Sequence, residues 1–292
     1  MTTATTATHT LETAGASIVY DVRGPLPPAD GRPPLLMIGQ PMDASGFGAL
    51  ASHVTDRTVV TYDPRGLGRS TRSDGRTDNS PDVQAEDVHA VIEALGAGPV
   101  ELFASSGGAV TALALVTAHP DDVVTLVAHE PPIITVLPDA AAAKRAQQGF
   151  NDAYNAGGRG AGMAAFIVMS SWQGEFTDDY FARPAPDPAA FVMPAGDDGT
   201  RDDPLLSDNS WAITDYEPDA EALAAAPTRI VIAVGEESAG TFTARTAEAT
   251  AELLGQEATV FPSHHGGFLG GEHGYAGQPE AFARRLREVL EG

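Results

Sequence analysis

The sequence predicts an α/β protein: a mostly parallel central sheet with helices on both faces, interrupted by one inserted helical cap. Short, almost continuously apolar runs alternate with helical patterns at the two ends of the chain. Such runs are typical of parallel strands that are buried on both faces. Between residues 133 and 217 the alternation stops, and Ala-rich helical stretches precede a run rich in Pro, Asp and Gly. The sequence therefore predicts a core of residues 16–132 and 218–292 and a cap or lid of residues 133–217.

Each core element has its own local signal. The predicted strands, in chain order, are ASIVYDV, PPLLMIG, RTVVTYDP, PVELFAS, DVVTLVAHE, TRIVIAVG and ATVFP. The best-marked helix begins after Ser80, has Pro81 at its first position and ends at Gly96, the residue types that favour these three places. The other predicted core helices are GGAVTALALVTA, TARTAEATAELL and PEAFARRLREVLE. Residues 1–15 begin with a run of Thr and Ala and are expected to form a disordered tail.

The composition excludes several classes of function. The 292 residues include no cysteine, which rules out disulfides, thiolate nucleophiles and zinc–thiolate sites. The net charge of −23 repels phosphate backbones, so no nucleic-acid partner is expected. No run reaches the length of a membrane span, and the first residues lack the pattern of a signal peptide. We therefore expect a cytoplasmic protein without a membrane partner.

Two adjacent serines follow the predicted strand PVELFAS, and one of them fits a nucleophile. A serine on a sharp strand-to-helix turn needs small residues two positions before and two positions after it, because the turn brings these positions close together. Around Ser106 those positions are Ala104 and Gly108, whereas around Ser105 the first of them is Phe103. Ser106 is therefore the candidate nucleophile.

The chain resembles the α/β-hydrolase superfamily in several segments. GQPMDASGF resembles the oxyanion segment H-G-x-P, although Ile38 stands where His is common, and YDPRGLGRS resembles the stretch that precedes the nucleophile in many members. The turn around Ser106 is similar to G-x-S-x-G, with Ala104 in place of the first Gly. FPSHHGGF follows the last short strand, where the family places its catalytic His. The resemblance covers nearly all the chain outside the first residues and the cap, and implies a serine hydrolase.

The family pattern favours His265 as the catalytic base, because it directly precedes the Gly pair, over its neighbour His264. A metal site in HHGGFLGGEH, which would use His264, His265, Glu272 and His273, is disfavoured because the spacing matches no known signature. No metal is therefore expected.

Two positions compete for the acid that orients the His. In many members an Asp follows the strand before the last crossover, but here that turn reads G-E-E-S, which leaves Glu236 and Glu237 as candidates. The resemblance offers Glu130 instead, because haloalkane dehalogenases and zearalenone lactone hydrolases carry a Glu at the end of the corresponding strand. A Glu at the end of a buried strand is costly unless it is paired, and an imidazole would be such a partner. Glu130 is therefore favoured, with Glu236 and Glu237 as the alternative.

The expected reaction is hydrolysis of a small to medium apolar ester or lactone through an acyl-enzyme, without a cofactor. The backbone N–H groups of Gly107 and Gln40 are expected to form the oxyanion hole. Carbon–carbon or amide bond hydrolysis, perhydrolysis, and ligand binding with little or no catalysis remain alternatives on the same fold. The residues expected to line the substrate pocket are Met42, Phe166, Trp172 and Trp211, with Phe150, Tyr154, Met163 and Met169 as further apolar candidates in the cap.

Overall fold

The protein forms one mostly parallel sheet, as predicted, and the sheet has nine strands in a computed structural model that describes residues 6–29, 31–194, 196–271 and 274–292. The strands run in the order β1-β2-β4-β3-β6-β7-β8-β9, and the short β5 pairs with β2. The β4–β3, β3–β6, β6–β7, β7–β8 and β8–β9 pairings are parallel, and the β1–β2, β2–β4 and β2–β5 pairings are antiparallel. The strands are β1 (Thr6–Thr13), β2 (Ala16–Arg23), β3 (Leu35–Gln40), β4 (Val59–Tyr62), β5 (Thr71–Arg72), β6 (Val100–Ser106), β7 (Val123–His129), β8 (Arg229–Gly235) and β9 (Thr259–Phe261).

Helices cover both faces of the sheet, which confirms the predicted fold class. The helices are α1 (Gly48–His53), α2 (Pro81–Leu95), α3 (Gly107–Ala118), α4 (Ala140–Ser170), α5 (Asp178–Phe181), α6 (Trp211–Thr214), α7 (Ala220–Ala225), α8 (Phe242–Leu253) and α9 (Pro279–Glu291). Apolar residues of α2, α3 and α8 form one hydrophobic cluster with the sheet, and those of α1 and α9 form a second cluster. Alternate residues of one strand pack on opposite faces of the sheet. In β6, Leu102 and Ala104 belong to the first cluster, and Phe103 belongs to the second. This period of two explains why the strands read as continuous apolar runs.

The expectation of a disordered tail over residues 1–15 is wrong for the described part of that segment. Thr6–Thr13 form β1, which pairs antiparallel with β2 along its whole length, from Thr6 opposite Arg23 to Thr13 opposite Ala16. The connecting turn contains Gly15, whose φ of +79° lies in the region that glycine adopts at little cost. Most of β1 is exposed, so its sequence lacks the apolar side chains that would have marked it as a strand. Backbone pairing with β2 holds it instead.

The segment between β7 and β8 contributes helices and no strand of the sheet among its described residues. Its longest helix, α4, has 31 residues and bends at Gly158, whose φ is +76°. Phe150, Tyr154 and Leu206 form a third hydrophobic cluster together with Phe242 from α8, so the inserted helices pack directly on the core. None of the helices in the described ranges combines the length and the apolar character needed to cross a bilayer.

Candidate active site

Ser106 lies at the junction of β6 and α3 in a backbone conformation that non-glycine residues rarely adopt. Its φ is +56° and its ψ is −129°. Such strain persists only where the surroundings enforce it, and it is common at active sites. The surroundings here are close: a Cβ atom on Gly108 would lie 2.7 Å from the Cα of Gly39. The small residue two positions after the serine is thus required by contact with β3.

The two adjacent serines point to different places. Ser106 lines a cavity that it shares with Gln40, Gly107 and His265. Ser105 is 2% exposed, and its Oγ lies 3.4 Å from Nδ1 of His129 beneath the cavity. Only Ser106 is therefore positioned to meet a ligand.

His265 lines the same cavity and forms a hydrogen bond with Glu130. The distance from His265 Nδ1 to Glu130 Oε2 is 2.6 Å. Glu130 comes directly after β7, has a φ of +48° and is fully buried. Its Oε1 accepts the backbone N–H of Gly235 at 2.9 Å, and its Oε2 also accepts the hydroxyl of Thr243 at 2.6 Å. Both carboxylate oxygens therefore have donors, as a buried carboxylate requires.

These donors keep Glu130 ionised. Burial alone would raise the pKa of the Glu130 carboxyl, but the hydrogen bond and electrostatic attraction of His265, with help from the Thr243 hydroxyl, hold that pKa well below its ordinary value. An ionised carboxylate on Nδ1 selects the His265 tautomer that leaves Nε2 free to accept a proton.

The competing acids and the neighbouring histidine have other partners. Glu236 Oε1 accepts the backbone N–H of Ser263, and Glu237 Oε2 accepts the Ser263 hydroxyl, both at 3.4 Å. His264 places its Nε2 3.2 Å from the carbonyl oxygen of Ala276, and its Nδ1 accepts the N–H of Gly266. Within the described ranges, neither Glu236 nor Glu237 forms a hydrogen bond or ion pair with His265. Glu272 and His273, the other members of the disfavoured metal set, lie outside the described residues.

Gln40 and Gly107 border the cavity next to Ser106. Gln40 ends β3 directly opposite Ser106 in the parallel register, and Gly107 begins α3. A Cβ on Gly107 would lie 2.9 Å from Cβ of Gln40, so the two residues are in close contact. The first N–H groups of a helix have no partner within the helix and attract negative charge. This corner of the cavity is therefore suited to a developing oxyanion. The side-chain amide of Gln40 is enclosed and has no partner among the described residues.

The cavity has a volume of about 640 Å³, within the range of small-molecule sites. Its apolar lining comes largely from the segment between β7 and β8 and includes Phe166, one of the predicted pocket residues. The other lining residues from α4 are Gln147, Phe150, Met163, Ile167, Met169 and Ser170.

Three other predicted pocket residues and the further candidate Tyr154 lie outside the described lining of this cavity, because apolar character alone does not reveal which way a side chain faces. Met42 packs against Gly39 and Gly46 on the face of the sheet that α1 and α9 cover. The indole N–H of Trp172 donates to the carbonyl of Glu175 at 2.9 Å, and its ring meets Tyr180 edge to face. Trp211 and the fully buried Tyr154 are likewise absent from the described cavity lining.

Several residues of the site carried no recognisable sequence signal. Thr243 and Gly235 reach Glu130 across 113 and 105 positions of the chain. His129 was not assigned a role; it is fully buried beneath His265, and the two rings are stacked with centroids 6.0 Å apart. Burial lowers the pKa of His129 to about 4, so its imidazole is neutral at pH 7.

A group that could ligate a metal lies away from this cavity. Single ligand atoms of His89, His119 and Asp122 are within 4.8 Å of one another. Asp122 directly precedes β7, whereas Ser106 ends β6, which runs parallel to β7. The group therefore lies at the amino ends of the strands, and Ser106 lies at their carboxyl ends. It is therefore separate from the candidate active site.

Comparisons with known proteins identify the family of the chain. A family model described as alpha/beta hydrolase fold matches residues 42–162. The uncharacterized hydrolase YraK of Bacillus subtilis (strain 168) is 30% identical over 295 residues, which cover 97% of this chain and 95% of that protein. The putative carbamate hydrolase RutD of Caulobacter segnis is 36% identical over 105 residues, 36% of this chain and 39% of that protein.

Solved structures share the fold at lower identity. A thermophilic esterase from Thermogutta terrifontis superposes with a TM-score of 0.62 at 20% identity, covering 98% of both chains. An alpha/beta hydrolase enzyme from a Medee basin deep-sea metagenome library superposes with a TM-score of 0.66 at 15% identity, covering 97% of this chain and 98% of that one. From the matched sequence model and the nearly full-length relative, we conclude that the chain belongs to the alpha/beta hydrolase fold family.

Proposed function

We propose that the protein is a serine hydrolase that cleaves small to medium apolar carboxylic esters or lactones through an acyl-enzyme. One observation carries this proposal: the strained Ser106 opens onto the same cavity as His265, and His265 is held by the buried carboxylate of Glu130. A positioned nucleophile, a base and an acid that orients the base are the three parts that serine catalysis needs.

In the proposed first step, His265 Nε2 takes the proton from the Ser106 hydroxyl as its Oγ attacks the substrate carbonyl carbon. The carbonyl oxygen becomes an oxyanion, which the backbone N–H groups of Gly107 and Gln40 stabilise. The carbon–oxygen bond to the alcohol then breaks, and the imidazolium of His265 gives its proton to the departing alkoxide. Glu130 stays ionised and stabilises the imidazolium through Nδ1.

In the second step, His265 activates a water molecule that attacks the acyl-enzyme. The same oxyanion site stabilises the second tetrahedral intermediate, and Ser106 leaves with the proton returned by His265. The products are a carboxylic acid and the regenerated serine. The apolar lining of the cavity supports an apolar acyl or alcohol group in the substrate.

The test is hydrolysis of 4-nitrophenyl butyrate by the wild type and by two serine variants. We expect Ser106→Ala to lower kcat/KM by at least about 10³-fold, because loss of a triad member leaves only the oxyanion site and substrate binding. Ser105→Ala is the matched control, since Ser105 lies beneath the cavity, and it should lose less than about tenfold. Comparable activity of Ser106→Ala and wild type would contradict the proposal.

A further inference from the structure

Asn79, which lines the same cavity as Ser106, has a side-chain acceptor without a donor among the described residues. The residue is 7% exposed. Its Nδ2 donates to the carbonyl oxygen of Pro204 at 3.3 Å. A carbonyl oxygen only accepts, so the nitrogen of the amide must face Pro204 and the oxygen must face away. Among the described residues, Oδ1 of Asn79 has no donor, and it is not enclosed by protein.

Gln147, on the cap helix α4, is oriented in the same way. It is 4% exposed, and its Nε2 donates to Thr214 Oγ1 at 2.7 Å. The Thr214 hydroxyl gives its own hydrogen to the carbonyl of Trp211, so it accepts from Gln147 and the amide nitrogen is assigned. Within the described ranges Oε1 of Gln147 has no donor, and it too is not enclosed by protein.

The hydroxyl groups of the cap lining add to this bias. Ser170 and Ser171 donate to the carbonyl of Ile167 at 3.2 and 2.6 Å, and Ser210 donates to the carbonyl of Leu205 at 3.0 Å. Each hydroxyl therefore uses its one hydrogen within the protein and retains only lone pairs for a ligand.

The charges along the cavity point in the same direction. Glu237 lines it, and the described lining residues include no Lys or Arg. A negatively charged group in the cavity would meet this carboxylate without a lysine or an arginine to pair with it. The net charge of −23 adds a long-range repulsion of anions.

We propose that the part of the substrate that fills the cap side of the cavity carries a hydrogen-bond donor, a hydroxyl or an N–H, and no negative charge. The donor pairs with the amide oxygens of Asn79 and Gln147, which makes these two residues determinants of specificity. This inference rests on the proposed ester hydrolysis at Ser106. A buried acceptor that stays unpaired loses its bond to water, so an alkyl group in the same place is disfavoured.

The experiment compares kcat/KM for matched esters that differ in one terminal group. The acyl pair is 4-nitrophenyl hexanoate and 4-nitrophenyl 6-hydroxyhexanoate; the alcohol pair is hexyl acetate and 6-hydroxyhexyl acetate, followed by acid release. We expect the hydroxylated member of at least one pair to be preferred by about tenfold, roughly the effect of one net hydrogen bond. The monoanionic 4-nitrophenyl hydrogen adipate should be cleaved more slowly than the hexanoate at low salt, and Glu237→Gln should narrow that gap.

Variants assign the preference to the two amides. Asn79→Leu and Gln147→Met each replace the amide by an apolar side chain of similar size and should remove most of the preference. Gln148→Leu is the matched control, because Gln148 is the exposed neighbour of Gln147 on α4. Circular dichroism spectra of all variants should match the wild type; if one variant does not fold, the other still decides the result.

The outcomes separate this inference from the proposed function. Hydrolysis of all esters without preference for a hydroxylated member would overturn the inference alone. A preference that survives in both amide variants would also overturn it. Absence of any Ser106-dependent ester hydrolysis would overturn the proposed function, and the inference with it.

Discussion

Replacing Glu130 with Gln isolates the contribution of the carboxylate to catalysis. Gln has nearly the same shape and can still accept the N–H of Gly235, which Glu130 binds at 2.9 Å. It removes the negative charge that lies 2.6 Å from Nδ1 of His265. It also allows an amide N–H to donate to Nδ1, which favours the tautomer whose Nε2 already carries a proton.

The size of the effect follows from the geometry of the pair. Two unit charges about 4 Å apart at an effective dielectric constant of about 20 interact by about 4 kcal/mol. Each 1.36 kcal/mol corresponds to a factor of ten in rate, so removal of the whole interaction would lower kcat/KM by about 10³-fold. Because the His265 side chain is 35% exposed while Glu130 is fully buried, solvent screens part of this interaction. We therefore expect kcat/KM for 4-nitrophenyl butyrate to fall by about 10² to 10³-fold.

The matched control is Glu236→Gln, which removes an exposed carboxylate from the competing position. It should change kcat/KM by less than about threefold, as expected for an exposed charge that forms no hydrogen bond with His265. Urea unfolding of each variant separates a loss of stability from a loss of activity. The reasoning is refuted if folded Glu130→Gln retains more than about a tenth of wild-type activity, or if Glu236→Gln is the more damaged variant.

Two further predictions concern stability. Gly108→Ala should lower the free energy of unfolding by roughly 1–3 kcal/mol in urea titrations, because the new Cβ meets the backbone of Gly39 at 2.7 Å. Gly149→Ala should raise the free energy of unfolding by about 0.5–1 kcal/mol, because its Cβ meets nothing within 4 Å. Equal effects of the two substitutions would contradict the packing argument. Burial lowers the pKa of His129 to about 4, whereas the pKa of a histidine in the unfolded chain is about 6.5. Between these two values the unfolded chain binds a proton that the folded chain excludes. The free energy of unfolding therefore falls as the pH falls from about 6.5 to about 4. Between pH 7 and pH 5 this contribution amounts to about 2 kcal/mol. The loss of stability over that range should be smaller by this amount in His129→Leu, and an unchanged pH dependence would argue against a neutral buried imidazole.

The features that could be predicted from sequence are those that depend on local contacts. The turn at Ser106 tolerates only small neighbours because Gly108 touches the backbone of Gly39, and this requirement is visible in the residue types alone. The start of α2 could likewise be predicted from the residue types. The Ser80 hydroxyl accepts the N–H of Val83, and Pro81 occupies the first turn. In both cases the physical cause lies within a few residues of the signal.

The features that could not be predicted depend on distant or one-sided packing. The contact between His265 and Glu130 joins residues 135 positions apart, so residue types alone do not predict it; the family resemblance and the cost of burying an unpaired carboxylate favour Glu130 over Glu236 and Glu237. Strand β1 is mostly exposed and is held by pairing with β2, which leaves no apolar pattern to recognise. The orientation of Phe166 toward the cavity and of Trp172 away from it depends on how α4 lies over the sheet, and hydrophobicity is the same in both directions.

The central claim is that Ser106 forms a covalent acyl-enzyme, and mass spectrometry of the protein after reaction with a fluorophosphonate tests it most directly. The account predicts one adduct per chain, located by peptide mapping on Ser106, present in Ser105→Ala and absent in Ser106→Ala. A slowly hydrolysed 4-nitrophenyl ester should leave its acyl group on the same residue. An adduct on any other residue, or ester turnover by an enzyme that takes up no label, would contradict the account.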